Sequence, residues 1–311
     1  MKLSRFLMLF PSLVVGLMAG EGWAQDVKVG VLYDATSLSA FQSVPYTKGI
    51  QAATRSANAT GGINGKNIVL LAEDYAYQIP RALAAYKKLK GEGIVAMQGY
   101  GSGDTEALMD TVTRDKMPFF SAALSAHTAD PKRAPYNYSV GADYSAQARS
   151  GLKHIADNWK DPARRPKIAI VYPDNAFGNG GLPAIQSYAK ELNLEVVGKE
   201  VLNFGALESS SQVARLRDLK PDFVWMQAIA STLAVFVRDA KKGGLDAKVY
   251  GSVWTYDPKV LDLAGDAIEG TTIISIAALS GRGLPAEAAI KAAVDDPALI
   301  DIRISCVAGL P

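Results

Sequence analysis

What most constrains this chain is a repeating alternation: a short apolar, β-rich run, then a helix-like stretch of ten or more residues, then another run. Val27–Tyr33 reads as a strand, and residues 45–60 read as a helix with Ile50, Ala53 and Ala57 on one side. Gly61-Gly62-Ile63-Asn64-Gly65 is turn chemistry, and residues 68–72 form the next strand. Pro80 opens a helix that Leu83, Tyr86, Lys87, Leu89 and Lys90 carry to Gly91. Residues 94–99 and 118–124 read as strands with a helix, 104–116, between them. After a junction at 138–142 the alternation restarts: Asp143 caps a helix through Trp159, followed by strands at 167–172, 194–197, 222–227 and 248–253. Short apolar strands separated by helices imply parallel sheets covered on both faces. The expected fold is therefore α/β, two doubly wound parallel-sheet lobes joined by crossing hinge segments, with a ligand cleft between them. A single larger doubly wound domain is the competing reading.

The first residues read as an address. Lys2 and Arg5 give a positive start, residues 6–19 are almost continuously apolar, and Gly22-Trp23-Ala24 places small residues before a cut after Ala24. The apolar run is short for a membrane span, is broken by Pro11, and is followed by Glu21. Residues 1–24 are thus expected to be a signal peptide, and the mature chain an exported, soluble periplasmic protein. Cys306 is the single cysteine, so an intramolecular disulfide is excluded and stability must come from buried core. The formal charge of +2 becomes +1 without Lys2, Arg5 and Glu21. No basic run interleaves with aromatics, so nothing points to nucleic acid.

In open parallel sheets, ligands collect beyond the carboxyl ends of the strands. After the third strand comes Gly99-Tyr100-Gly101-Ser102-Gly103-Asp104-Thr105, whose glycines and helix start suit an anion and whose Ser102 adds a hydroxyl. The spacing does not complete a phosphate-binding fingerprint, and Asp104 reads more simply as a helix cap than as a ligand contact. After the fourth strand, Ser121-Ala122-Ala123-Leu124-Ser125 offers N–H groups and two hydroxyls for a carboxylate or amide; an ordinary strand-to-loop junction reads equally well. Phe177 and Trp254 follow strands in the second half, where an aromatic either stacks on a solute or simply packs. His127 and His154 are the only histidines and make no metal cluster. No nucleophile elbow is present, so binding outranks catalysis, and neither cofactor nor metal is expected.

With these segments in place the chain resembles the leucine/isoleucine/valine-binding family of periplasmic binding proteins. The resemblance runs from Val27 to about Ala277. It rests on the opening strand, the 61–65 turn, Asp174 with Phe177-Gly178, Pro221-Asp222-Phe223-Val224, and Leu263-Ala264-Gly265-Asp266-Ala267-Ile268-Glu269-Gly270. It implies two lobes that close on a ligand, with Ser102, Ala123 and Ser125 holding a carboxylate from the first lobe and Phe177 contributing from the second. Family members that bind amino acids carry an acid after the strand at 248–253 to meet the ammonium; here Val253 stands there, followed by Trp254. A buried ammonium without a partner is costly, so an aromatic or other hydrophobic carboxylate, or an amide, rivals a leucine-like ligand.

The expected organisation is a first lobe at 25–143, continued by 271–311, and a second lobe at 144–270. Gly141 and Gly270 are the hinge candidates. The resemblance also implies a longer return to the first lobe, so residues 300–307 read as a truncated or frame-shifted end. The expected function is a monomeric solute-binding protein of an ABC importer of the branched-chain amino acid type, working with a membrane permease. A sensory ligand-binding protein of the same fold is the alternative, and an α/β hydrolase the more distant one.

Overall fold

The computed structural model describes residues 26–277 and three isolated positions beyond them, 283, 288 and 292. The first half holds five strands: β1 (Val27–Tyr33), β2 (Ile68–Asp74), β3 (Ala96–Gly99), β4 (Phe119–Ser121) and β5 (Asn137–Ser139). All pair in parallel, in the spatial order β2-β1-β3-β4-β5. Helices α1 (Ala40–Ala59), α2 (Ile79–Gly91) and α3 (Ser102–Asp115) connect them. The second half begins with α4 (Tyr144–Asn158) and holds β6 (Lys167–Tyr172), β7 (Glu195–Val201), β8 (Phe223–Met226), β9 (Lys248–Gly251) and β10 (Thr272–Ile273). Its helices are α5 (Ala176–Asn179), α6 (Leu182–Glu191), α7 (Ser210–Leu219), α8 (Ala230–Gly243) and α9 (Val260–Ala264). This sheet is also wholly parallel, in the order β10-β9-β8-β6-β7. Counted from its own first strand, each sheet therefore runs 2-1-3-4-5, the same doubly wound order twice.

The central strands explain why these sheets need helices on both sides. Ile168 and Ile170 of β6, with Phe223 and Trp225 of β8, pack on one face against Leu152, Ile155 and Ile185. The intervening residues, Ala169, Val171, Val224 and Met226, pack on the other face against Leu233 and Phe236. Alternate residues point to opposite faces of a strand, so a strand buried on both faces must be apolar throughout. In the first lobe Leu32, Met97 and Phe119 join Leu89, Leu108 and Val112 in the corresponding core.

Three expectations change. Helix α1 starts at Ala40, with Pro45 inside it rather than at its head. The buried carboxylate of Asp34 fixes that earlier start: it accepts from the Ser37 backbone N–H at 2.8 Å and from the hydroxyls of Ser37 and Ser39, the residue just before the helix. The junction at 138–142 contains a fifth strand, β5, too short at three residues to register as a period. The second sheet extends to Ile273, past the expected lobe end at 270, because β10 pairs with β9. Asp143 caps α4 as expected, accepting from the Ala146 N–H at 2.7 Å. Of the hinge candidates, Gly141 packs against Ile276, where the two crossing segments touch, and Gly270 holds a left-handed φ of +78°. Residues 1–24, the 300–307 segment and Cys306 lie outside the described residues.

Candidate functional site

In a sheet of order 2-1-3-4-5 the crevice opens where the strand order reverses, between the first and third strands, at their carboxyl ends. Both lobes aim that crevice at the same place. From the first lobe, Ser39 follows β1, Tyr100, Gly101 and Ser102 follow β3, and Ala122 follows β4. From the second, Phe177 follows β6, Ile229 follows β8, and Phe204 and Trp254 follow β7 and β9. Tyr77, beyond β2, and Tyr144, the first residue of α4, complete a narrow pocket of at most about 290 Å³ with its opening to solvent included. No charged side chain lines it among the described residues.

The lobes meet around this pocket. The Tyr77 and Phe204 ring centres lie 6.0 Å apart across the cleft, and those of Tyr100 and Trp254 6.1 Å apart. Leu124, Tyr144 and Phe177 form a buried cluster against which Val140, Phe204, Trp254 and Ile276 pack. Two glycines make the approach possible. A β-carbon on Gly180 would lie 2.5 Å from Ser125 Oγ, and one on Gly205, whose φ is +76°, would lie 2.6 Å from Leu38 Cδ1.

In and around the pocket, several buried polar side chains have unsatisfied atoms. Ser102 heads α3 with its side chain 1% exposed, and its Oγ makes no hydrogen bond. The Tyr144 hydroxyl is close enough to feel that oxygen, although no bond of proper geometry joins them. Ser125 Oγ, also 1% exposed, is likewise unpartnered. So are both amide atoms of Gln227, fully buried at the end of β8. Native interiors rarely leave such groups unmet, and a concentration of them around one cleft points to a missing polar partner.

Asp104 is not the cap of α3. Gly101 occupies that position, and Asp104 sits in the first turn, 2% exposed, accepting from the Tyr75 hydroxyl at 2.8 Å. Burial pushes its carboxyl up to about 7, against opposing hydrogen bonds from Tyr75 and nearby backbone N–H groups. Its Oδ1 packs against Gly101, and the carboxyl stays out of the lining. Burial also raises the hydroxyls of Tyr77 and Tyr100, and pushes Tyr144 up to about 12. These tyrosines are therefore neutral and can donate.

Ser102, Phe177 and Trp254 line the pocket, as the strand-end rule led one to expect. Ala123 and Ser125 do not. Ala122 takes the lining position in that loop, the Ala123 N–H donates to Ser121 Oγ at 2.9 Å, and Ser125 faces Gly180 at the seam between lobes. Val253 also lies off this pocket, its N–H donating to Gln147 Oε1 at 3.1 Å. Sequence reasoning passed over Ser39, Tyr77, Tyr100, Tyr144, Phe204 and Ile229. The strand-end rule applied after β1, β2, β7 and β8 would have reached four of these. Tyr77 carries a second signal visible only in the backbone: it and Ala76 hold φ of +56° and +50°, a left-handed turn that non-glycine residues adopt at a cost and that gathers at functional sites.

Comparison with known proteins agrees with this architecture. A Leu/Ile/Val-binding protein homolog from Brucella abortus is 24% identical over 255 residues, 82% of this chain and 67% of its own length. The substrate-binding protein of an ABC transporter from Aeropyrum pernix superposes with a TM-score of 0.81 at 28% identity, covering 90% of this chain and 77% of its own. A branched-chain amino acid ABC transporter protein from Thermus thermophilus, solved with bound valine, has the same fold, with a TM-score of 0.83 at 20% identity over 91% and 76% of the two chains. The family model described as periplasmic binding protein matches residues 26–296. A match of that extent, on two lobes of identical strand order facing one pocket, places the chain in the periplasmic binding protein family.

Proposed function

We propose that this chain is the periplasmic solute-binding component of an ABC importer of the branched-chain amino acid type, and that it captures a small carboxylate or amide by closure of its lobes. One observation carries the reading: the pocket draws its walls from strand ends of both lobes, so it exists only while they are together. A ligand that touches both lobes favours the closed arrangement by its differential affinity for it, and that arrangement is what a membrane permease can distinguish. Family membership supports transport rather than turnover, as does the absence of charged groups from the lining among the described residues. Ser102 and the first turn of α3 are the proposed polar contacts, and Phe177 and Trp254 the apolar ones. Signal-directed export belongs to the same proposal.

Native mass spectrometry of protein purified from periplasm, with small-angle scattering before and after ligand removal, tests this. A released small molecule and an expansion on stripping are expected. A chain that retains no solute and keeps one radius under all conditions would overturn the proposal.

A further inference from the structure

Six aromatic rings form a closed circuit around the pocket. Tyr77 and Tyr100 lie 6.1 Å apart, Tyr100 and Trp254 6.1 Å, Tyr144 and Phe177 5.3 Å, Phe177 and Phe204 5.7 Å, and Phe204 and Tyr77 6.0 Å. The remaining gap is closed by Trp254 Nε1 donating to the Tyr144 hydroxyl at 3.2 Å. Two rings come from the first lobe and four from the second, so the circuit is complete only when the cleft is shut. At one edge stand Gly101 and Ser102, the start of the 14-residue helix α3, with the unpartnered Ser102 hydroxyl.

Resting on the solute-binding reading, we infer that the ligand is a small single-ring aromatic carboxylate without an ammonium group, its ring inside the circuit and its carboxylate on Ser102 and the N-terminus of α3. Rings of both lobes meet at edge and tilted angles, the geometry in which aromatic groups gain beyond simple burial. The positive end of the α3 dipole and the buried Ser102 hydroxyl favour an anion, and the hydroxyl is the independent sign that this helix start is a site. An ammonium would find no carboxylate in the lining. Buried Asp104 stays out of the lining, its Oδ1 accepting from Tyr75 and packed against Gly101 and its Oδ2 unpartnered. Buried Asp257 lines a neighbouring pocket that shares Trp254, and accepts from the Lys259 N–H. Asp34 is taken up by the Ser37 and Ser39 hydroxyls and two backbone N–H groups. The upper bound of about 290 Å³ on the pocket keeps the ligand small.

Calorimetry on the stripped full chain with benzoate, 4-hydroxybenzoate, cyclohexanecarboxylate, benzamide, benzylamine, L-phenylalanine and L-leucine decides the matter. The aromatic carboxylates should bind roughly 100-fold or more tightly than either amino acid, whose buried ammonium would be unpaired. Benzoate should exceed cyclohexanecarboxylate and benzamide. Ser102→Ala should weaken benzoate about 10- to 100-fold while leaving the melting profile of the stripped protein in place. Trp254→Leu should lower the preference for benzoate over cyclohexanecarboxylate, a readout that loss of folding would not produce. Tighter binding of L-leucine or L-phenylalanine would overturn the aromatic-acid assignment and leave solute capture standing. Tightest binding of benzylamine would do the same and make the circuit a cation cage. If no probe binds and native mass spectrometry finds a co-purified molecule of another class, the assignment fails alone; if it finds none, both readings fail.

Discussion

Replacing Asp104 by asparagine should make the protein more stable as pH rises, by an amount the structure sets. The side chain is 2% exposed, and burial lifts its carboxyl from the ordinary 3.8 to about 7. In the unfolded chain it ionises near 4, so between about pH 4 and 7 the folded state holds more proton than the unfolded one. Stability therefore falls as pH rises through that window, and the full penalty is present above pH 7. At 1.36 kcal/mol per pH unit the displacement corresponds to about 4 kcal/mol, a large fraction of the roughly 5–15 kcal/mol that holds a domain together. Asparagine carries no charge, and its amide oxygen can still accept from Tyr75. Asp74, Asp115 and Asp222 are shifted the opposite way, so the wild-type profile also loses stability towards acid. The informative quantity is the difference between variant and wild type, from urea unfolding followed by circular dichroism at pH 4, 6 and 8. It should grow steadily in the variant's favour, by up to about 4 kcal/mol. A difference that stays flat from pH 4 to 8 would show that Asp104 ionises normally and that its burial has been misjudged.

Asp104→Asn should also tighten benzoate at pH 8 but not at pH 5, since it removes a charge beside the anion's seat only where that charge exists; equal calorimetric effects at both pH values would refute the coupling. Gly180→Val should leave each lobe folded yet hold the cleft open, because its β-carbon would meet Ser125 Oγ at 2.5 Å; every ~1.4 kcal/mol of clash costs tenfold in affinity, and scattering should show no ligand-induced compaction. Ser125→Ala should weaken ligand less than Ser102→Ala, since Ser125 sits at the seam rather than in the lining; equal losses by calorimetry would place both hydroxyls on the ligand. Asp222→Asn should destabilise the second lobe by about 1–3 kcal/mol, because Asp222 accepts from both terminal nitrogens of Arg164 at 2.7 and 2.8 Å and from the Lys167 N–H at 2.8 Å. The Arg164 pairing lowers its carboxyl, so this contribution is present above the ordinary carboxylate range and fades as pH falls through the lowered value. Thermal melts of wild type and variant should therefore converge at low pH.

The two-lobed α/β class was legible in the sequence because its signals are local. A strand such as Lys167–Tyr172 is apolar from Ile168 to Val171, where both faces are buried, and the turn and capping residues between strands, Asp143 among them, act on their own neighbours. The strand-end rule is likewise local, which is why it reached Ser102, Phe177 and Trp254. Other features rest on distances between residues far apart in the chain. Which alanine of the 122–123 pair faces the cleft depends on the pleat at the end of β4 and on Ser121 taking the Ala123 N–H. Asp104 reads as a helix cap until the fold brings Tyr75, 29 residues earlier, onto its carboxylate. The circuit of rings joins Tyr77 to Phe204 and Tyr100 to Trp254, pairs no spacing rule connects, because only the meeting of the two lobes places them together. The sequence by itself determined the lobes and the ends of their strands; the tertiary structure alone decided what those ends enclose, because periodicity encodes contacts within an element and its sheet but not the docking of one lobe on the other.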